Sequence, residues 1–261
     1  MKRSRDIVDT RRKQILQILK KTGDIRVMDI ASHLKVSEIT VRRDLQYLED
    51  KKIIERYYGG ARVRQEPQKN RRNEIAVCRD HIARFAASLV EDKDTIFVNT
   101  SSTALGMIKY ITARDVTVIT NNANAILEQK SHSVKVILTG GELYNIKGTL
   151  VGEFAKNNLL RVNAKKAFLG CAGLSLEAGM TTEILNEVDL NQAMLSHVTG
   201  RAYLMCDHTK IGKNSSFTSC SIDTITDIIT DDRAPAEEVE ALRERGIRVN
   251  LVRAAEVQGG D

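Results

Sequence analysis

Ser37, Glu38, Thr40, Arg42, Arg43 and Gln46 lie within ten residues and could serve one partner together. Guanidinium forks pair with phosphates and with the acceptor edges of bases. Backbone N–H groups at a helix start add positive potential for an anion. The chemistry implied is contact with a polyanionic duplex, with Arg42 and Arg43 as its principal donors. The sequence does not distinguish which arginine reads bases. Asp44 either orients a neighbouring arginine by an ion pair or is solvated, and the sequence favours neither.

A second set of polar side chains lies in four short loops further along the chain. They are Asn99-Thr100-Ser101-Ser102-Thr103, Thr120-Asn121-Asn122, Gly140-Gly141-Glu142 and Asp207-His208-Thr209-Lys210. Hydroxyls and Lys210 suit a phosphate. The amides of Asn99, Asn121 and Asn122 and the Asp207 carboxylate suit sugar hydroxyls. Gly140 and Gly141 would let a ligand approach the backbone. Each loop alone has ordinary turn composition; four at successive strand ends carry more weight. Glu142, Glu183, Glu187 and Asp207 are possible proton-transfer groups, but they show no paired spacing, so catalysis is not expected. No cofactor is expected.

The cysteines, Cys78, Cys171, Cys206 and Cys220, are far apart and form no Cys-x-x-Cys pair. They are expected to be reduced, mostly buried thiols, with no metal site. No apolar run is long enough to span a bilayer and no apolar signal segment follows the charged start, so a cytoplasmic location is expected. The charge is uneven. Residues 1–64 carry 17 Lys+Arg against 9 Asp+Glu, whereas 65–261 carry 23 against 25. A basic module joined to a near-neutral one shows this asymmetry.

The elements that position these groups follow from periodicity. Thr10 is expected to cap a helix over 11–21, with Ile15, Leu16, Ile18 and Leu19 inward. A short helix over 27–34 follows, offering Met28, Ile30, Ala31 and Leu34 for packing. Ser37 caps a third helix over 38–51, in which Val41, Leu45 and Leu48 share the inner face. Two β-prone runs then flank Gly59-Gly60 and form a hairpin wing carrying Arg56, Arg62 and Arg64. This makes residues 1–64 a winged helix-turn-helix. Residues 65–80, polar with Pro67, read as a linker, in which Lys69, Arg71 and Arg72 either add phosphate contacts or remain solvated. Residues 81–261 alternate helix and strand, the pattern of a mostly parallel α/β sheet. Its early helices are expected over 81–90, 104–111 and 123–130.

The pattern Arg12…Ile15…Leu19…Gly23…Val36-Ser37-Glu38-x-Thr40-Val41-Arg42-Arg43-Asp44-Leu45…Leu48…Arg56…Gly59-Gly60-Ala61 closely resembles the DeoR family of bacterial transcription regulators. Val118-Ile119-Thr120-Asn121-Asn122, Leu138-Thr139-Gly140-Gly141, Ala167-Phe168-Leu169-Gly170, Gly179-Met180-Thr181-Thr182 and Asp207-x-Thr209-Lys210 look like that family's C-terminal sensor domain. The resemblance implies a fold similar to ribose-5-phosphate isomerase. It also implies a repressor of a carbohydrate-utilisation operon that a phosphorylated sugar releases, working as a dimer or tetramer on double-stranded operator DNA. An activator or dual regulator, or a sugar-phosphate isomerase, is the alternative. One departure concerns Asn99-Thr100-Ser101-Ser102-Thr103, where the family commonly has Asp-x-Gly-[Ser/Thr]-Thr. It implies a different effector or sugar portion, with loss of sensing as the alternative.

Overall fold

The computed structural model describes residues 2–51, 53–63, 68–144 and 148–253, and these divide into two compact units, Met1–Arg72 and Asn73–Asp261. In the first, α1 (Lys2–Thr22), β1 (Asp24–Arg26), α2 (Val27–Leu34) and α3 (Glu38–Asp50) precede the hairpin β2 (Ile54–Tyr57) and β3 (Gly60–Val63). Ile15, Leu19, Ile30, Val41, Leu45, Leu48, Ile54 and Ala61 form its core. Their spacings of three and four put one face of each helix inward.

Several details differ from expectation. The first helix runs straight through Thr10, which is therefore not its cap. Met28 is 61% exposed, because Val27, Ile30 and Ala31 already fill the inner face of α2. Asp24–Arg26 forms an unexpected strand that pairs antiparallel with β3, giving the order β1-β3-β2. The two glycines of the wing do different jobs. Gly59 takes a left-handed turn at φ 89. A Cβ on Gly60 would lie 2.7 Å from the Ile25 carbonyl, so its bareness lets β1 approach.

Asp44 is not solvated. It is 2% exposed and accepts from Arg11 Nε at 2.6 Å and Arg12 Nε at 3.0 Å, tying α3 to α1. The Arg12 guanidinium also stacks on the Tyr47 ring, 3.6 Å from its centroid.

α4 (Gln68–Ser88) begins in the last residues of the first unit and supplies the first element of the second. The stretch expected to be a linker is helical from Gln68 onward. The reason is that Cys78, Ile82 and Ala86, four apart, all face inward, with Ala83 and Ala87 beside them. The side chains of Lys69, Arg71 and Arg72, and all of Arg64, lie outside the described residues. Then come β4 (Thr95–Val98), α5 (Ser102–Leu105), β5 (Val116–Thr120), β6 (Val134–Leu138), β7 (Glu142–Leu143), β8 (Leu150–Val151), α6 (Glu153–Leu159) and β9 (Ala164–Gly170). β10 (Gly173–Ser175), β11 (Gly179–Thr182), α7 (Leu185–Ser196), β12 (Val198–Met205), β13 (Phe217–Cys220), β14 (Asp227–Asp231), α8 (Ala236–Glu244) and β15 (Arg248–Val252) complete it. The helices expected over 104–111 and 123–130 are shorter. The first is α5 plus a 3-10 turn at Ile108–Tyr110, and the second is a 3-10 turn, Ala123–Leu127, capped by Asn122.

Seven strands form one parallel sheet in the order β15-β14-β12-β9-β4-β5-β6. Alternation along each strand feeds two apolar layers. Phe97, Leu169 and Leu204 enter one with α6, α7 and α8, while Ile96, Val98, Phe168 and Tyr203 enter the other with α4 and α5. From β4 the chain winds outward through β5 and β6, then returns to β9 and winds the other way. The switch point therefore falls between β4 and β9, where the connections diverge and leave a crevice at the strands' carboxyl ends. A small antiparallel sheet, β10-β11-β13, and a ribbon, β7-β8, were not expected. Among the described residues no helix is long and apolar enough to cross a membrane.

The buried Asp44 clasp makes a stability prediction. Asp44→Ala leaves two half-buried guanidiniums without their acceptor and should cost about 2 kcal/mol. Chemical denaturation followed by a probe in the N-terminal unit measures it, and an unshifted midpoint would show that the clasp is idle.

A candidate nucleic-acid interface and a candidate ligand cleft

The N-terminal unit presents α3 as a projecting face. Ser37 caps it, accepting from Thr40 N at 3.3 Å. Glu38, Arg42, Arg43 and Gln46 are exposed and Thr40 is half-buried, its hydroxyl 2.9 Å from that of Ser37. Val41, Leu45 and Leu48 are anchored in the core, so the polar set cannot turn inward. Arg42 makes an i,i+4 contact with Glu38 at 3.4 Å, whereas Arg43 has no ion pair among the described residues. Arg56 on β2 reaches Gln46 and lies 3.7 Å from Glu49, and Arg62 on β3 pairs with Glu55 at 2.6 Å. Exposed pairs of this kind are worth little, so a phosphate can displace their carboxylates. The aromatic at the wing tip, Tyr58, is fully exposed.

In the C-terminal unit, a cleft of about 440 Å³ opens at the switch point. Asn99, Thr100, Ser101, Ser102 and Thr103 line it from the β4 end, Asn122 from the β5 end and Asp207 and Lys210 from the β12 end. Four of the expected residues do not line it. Thr120 is fully buried and accepts from Asn122 N at 3.1 Å. Asn121 turns toward β8, donating to the Leu150 carbonyl at 3.4 Å. The bareness of Gly141 serves the fold, because a Cβ there would lie 2.4 Å from the Val151 carbonyl. Gly140 adopts a positive φ of 69 beside Asn158.

Asn99 is 3% exposed and its amide is already occupied. Nδ2 donates to the Gly170 carbonyl at 2.9 Å and to Asn191 Oδ1 at 3.0 Å. Oδ1 accepts from Gly170 N at 2.9 Å and Ser101 N at 3.2 Å. This side chain joins the ends of β4 and β9 across the crevice. An aspartate could not make both donations.

Residues that sequence reasoning did not assign to the cleft complete it. Arg79 of α4 lines the cleft and donates from Nε to Asp207 Oδ2 at 2.7 Å. It was hidden in the supposed linker; the four-residue spacing of Cys78, Ile82 and Ala86 was the available signal. Asp207 is 1% exposed. Burial alone would raise its pKa, but hydrogen bonds from Thr209 and Arg79 outweigh burial and hold the carboxyl below its ordinary range. Glu187 accepts from Thr100 Oγ1 at 2.8 Å and Thr182 Oγ1 at 2.5 Å, which fixes a carboxylate at the rim. Lys210 has no ion pair among the described residues. The cleft thus offers one uncompensated ammonium, several hydroxyls and fixed carboxylates, a set suited to a small polyol bearing an anionic group.

Folding also gathers Cys78, His208 and Asp231, whose potential ligand atoms lie within 4.8 Å of one another. Asp231 accepts from His208 Nδ1 at 2.9 Å, His208 N at 2.7 Å and Arg233 N at 3.2 Å, so its oxygens are taken up by hydrogen bonds.

Comparison with known proteins bears on both sites. Residues 11–66 match the DeoR-like helix-turn-helix domain, and residues 76–232 match the DeoR C-terminal sensor domain. The chain is 33% identical over 239 residues to the lactose phosphotransferase system repressor of Staphylococcus aureus (strain N315), covering 88% of this chain and 94% of that one. It is 30% identical over 253 residues to a putative aga operon transcriptional repressor of Escherichia coli O157:H7, covering 93% of each. Among solved structures, ribose 5-phosphate isomerase from Plasmodium falciparum is similar at 14% identity and a TM-score of 0.37, over 51% of this chain and 52% of that one. With a helix-turn-helix domain and a sensor domain matched in order along its length, the chain belongs to the DeoR family of regulators.

Proposed function

We propose that this protein is a transcriptional repressor of a sugar-utilisation operon whose grip on operator DNA is released by a small phosphorylated sugar. The observation that carries the reading is the pairing of two faces in one chain: an exposed basic helix start anchored by a buried core, and a polar cleft at a sheet switch point. The names of the relatives support the sugar-operon part. α3 enters the major groove with Arg42 and Arg43 toward base edges and phosphates, and Arg56 and Arg62 of the wing meet the backbone. Ser37, Glu38, Thr40 and Gln46 set the remaining contacts. The protein works as a homo-oligomer on a two-fold operator, and it does not turn its ligand over.

In the cleft, Lys210 takes the phosphate together with the hydroxyls of Thr100 to Thr103. Glu187 at the rim faces the sugar, and the buried Asn122 and Asp207 back the site through their own hydrogen bonds. Asn99 frames this site rather than touching the ligand, because its donors and acceptor are spent. Release requires that the ligand bind the DNA-free state more tightly than the DNA-bound state. Arg79 offers the link, since its helix continues the chain from the N-terminal unit.

Three measurements test this. Arg42→Ala with Arg43→Ala should weaken binding to an operator selected from a random duplex library by about 100-fold or more, the worth of two good arginine contacts. Full affinity in a gel-shift assay would remove α3 from the interface. In a panel of pentose and hexose phosphates, one should raise the melting temperature of the wild-type protein by mass action. Lys210→Ala should lose that rise while keeping ligand-free operator affinity, and a retained rise would place the phosphate elsewhere. Asn99→Asp should lower stability by about 1–3 kcal/mol, by losing two donated bonds and setting a carboxylate against the Gly170 carbonyl; equal stability to wild type would show that the amide bridge is dispensable.

A further inference from the structure

We propose that Cys171 and Cys206 form a dithiol on the wall of the cleft that hydrogen peroxide converts to a disulfide. Gly170 and Met205 are register partners on β9 and β12, and each is followed directly by one of these cysteines. Neighbouring strands lie about 4.7–4.9 Å apart. That separation falls within the Cα span of about 4.4–6.8 Å that a disulfide bridges. Both residues line the cleft. Cys206 belongs to the apolar layer beneath the sheet, and Cys171 packs against the same layer.

The two sulfurs differ in accessibility, which orders the chemistry. Cys171 is half-buried and open to the cleft, whereas Cys206 is 2% exposed. Hydrogen bonding with the Cys171 thiol, and then burial, push the Cys206 thiol up. Cys206 therefore stays protonated, and Cys171, the more accessible sulfur on the cleft wall, is the one that meets the oxidant. Its sulfur attacks one peroxide oxygen, the O–O bond breaks, and the departing hydroxide takes a proton to become water. Cys171 is left as a sulfenic acid. The Cys206 sulfur then attacks the Cys171 sulfur; the S–S bond forms, the S–O bond breaks, and hydroxide leaves with the Cys206 proton as a second water. Two thiols lose two electrons and two protons, and one peroxide becomes two waters.

The other thiols are poorer candidates. Burial, with Asp231 beside it, pushes the Cys78 thiol up to about 11. Burial pushes the Cys220 thiol to about 11 as well. Cys220 packs on the same layer as Cys171 and is the competing partner. A Cys171–Cys206 bond would staple the β9 and β12 lips of the cleft and fill its wall. The consequence for ligand binding rests on the function proposed above; the bond itself does not.

The test uses the full-length protein, reduced, treated with hydrogen peroxide, alkylated and digested without reductant. Mass spectrometry should find one peptide pair linking Cys171 to Cys206, with alkylatable thiols falling from four to two. Cys171→Ser, which changes a half-buried side chain, should keep its three remaining thiols alkylatable, with circular dichroism showing that it is folded. A Cys171–Cys220 link, a link between two chains, sulfinic acid at Cys171 without a link, or four surviving thiols would each overturn the proposal. The melting-temperature rise given by the active sugar phosphate should disappear on oxidation and return with dithiothreitol. Survival of that rise in the linked protein would overturn closure of the cleft. If no sugar phosphate acts on the reduced protein, the function proposed above fails, and the linkage map still decides the dithiol.

Discussion

The crevice between β4 and β9 is held by one primary amide. A parallel sheet that winds away from a point in both directions leaves the carboxyl ends of two neighbouring strands without a connecting loop between them. Asn99 fills that gap with both of its protons and its oxygen, and so fixes the Thr100–Thr103 loop relative to Gly170 and to Asn191 of α7. Asn191 passes the network on to Ser219 at 3.1 Å. Buried networks of this kind are rigid when every member is satisfied. Here that rigidity keeps a polar cleft open where apolar layers would otherwise close.

Much of this was legible in the sequence, and for particular physical reasons. The inner faces of α2 and α3 follow from three-and-four spacing, and Ser37 announces a helix start because its hydroxyl can accept from Thr40 N. The strands of the large sheet announce themselves because buried parallel strands are short apolar runs between polar loops. The carboxyl ends of those strands then had to carry the cleft. What could not be read is pairing across the fold. Asp44 gives no sign of its two arginine partners, which lie 33 and 32 positions away. Thr120, Asn121, Gly140 and Gly141 have the composition of ligand loops, yet they serve hydrogen bonding and close backbone approach inside the protein. Arg79 was lost because a charged stretch conceals a helix whose inner face is carried by a cysteine and alanines rather than by leucines.

The charge asymmetry also looks different with the structure in hand. The basic excess of the N-terminal unit is not all available to a partner. Arg11 and Arg12 are spent on Asp44 and on the Tyr47 ring, as internal fastenings. Among the groups left outward, Arg42 and Arg43 share one turn of α3, while Arg56 and Arg62 lie on the wing. Placement, more than total charge, is what the interface depends on.

The third strand of the wing sheet carries one more implication. β1 leads directly into α2, and Val27 N donates to the Gly59 carbonyl at 2.9 Å, so the wing tip is fastened to the helix that supports α3. Helix and hairpin therefore behave like the two jaws of a fixed calliper. A duplex that suits one jaw but is too wide or too narrow for the other gains no help from loop movement, and the cost of fitting falls on the bending of the nucleic acid itself.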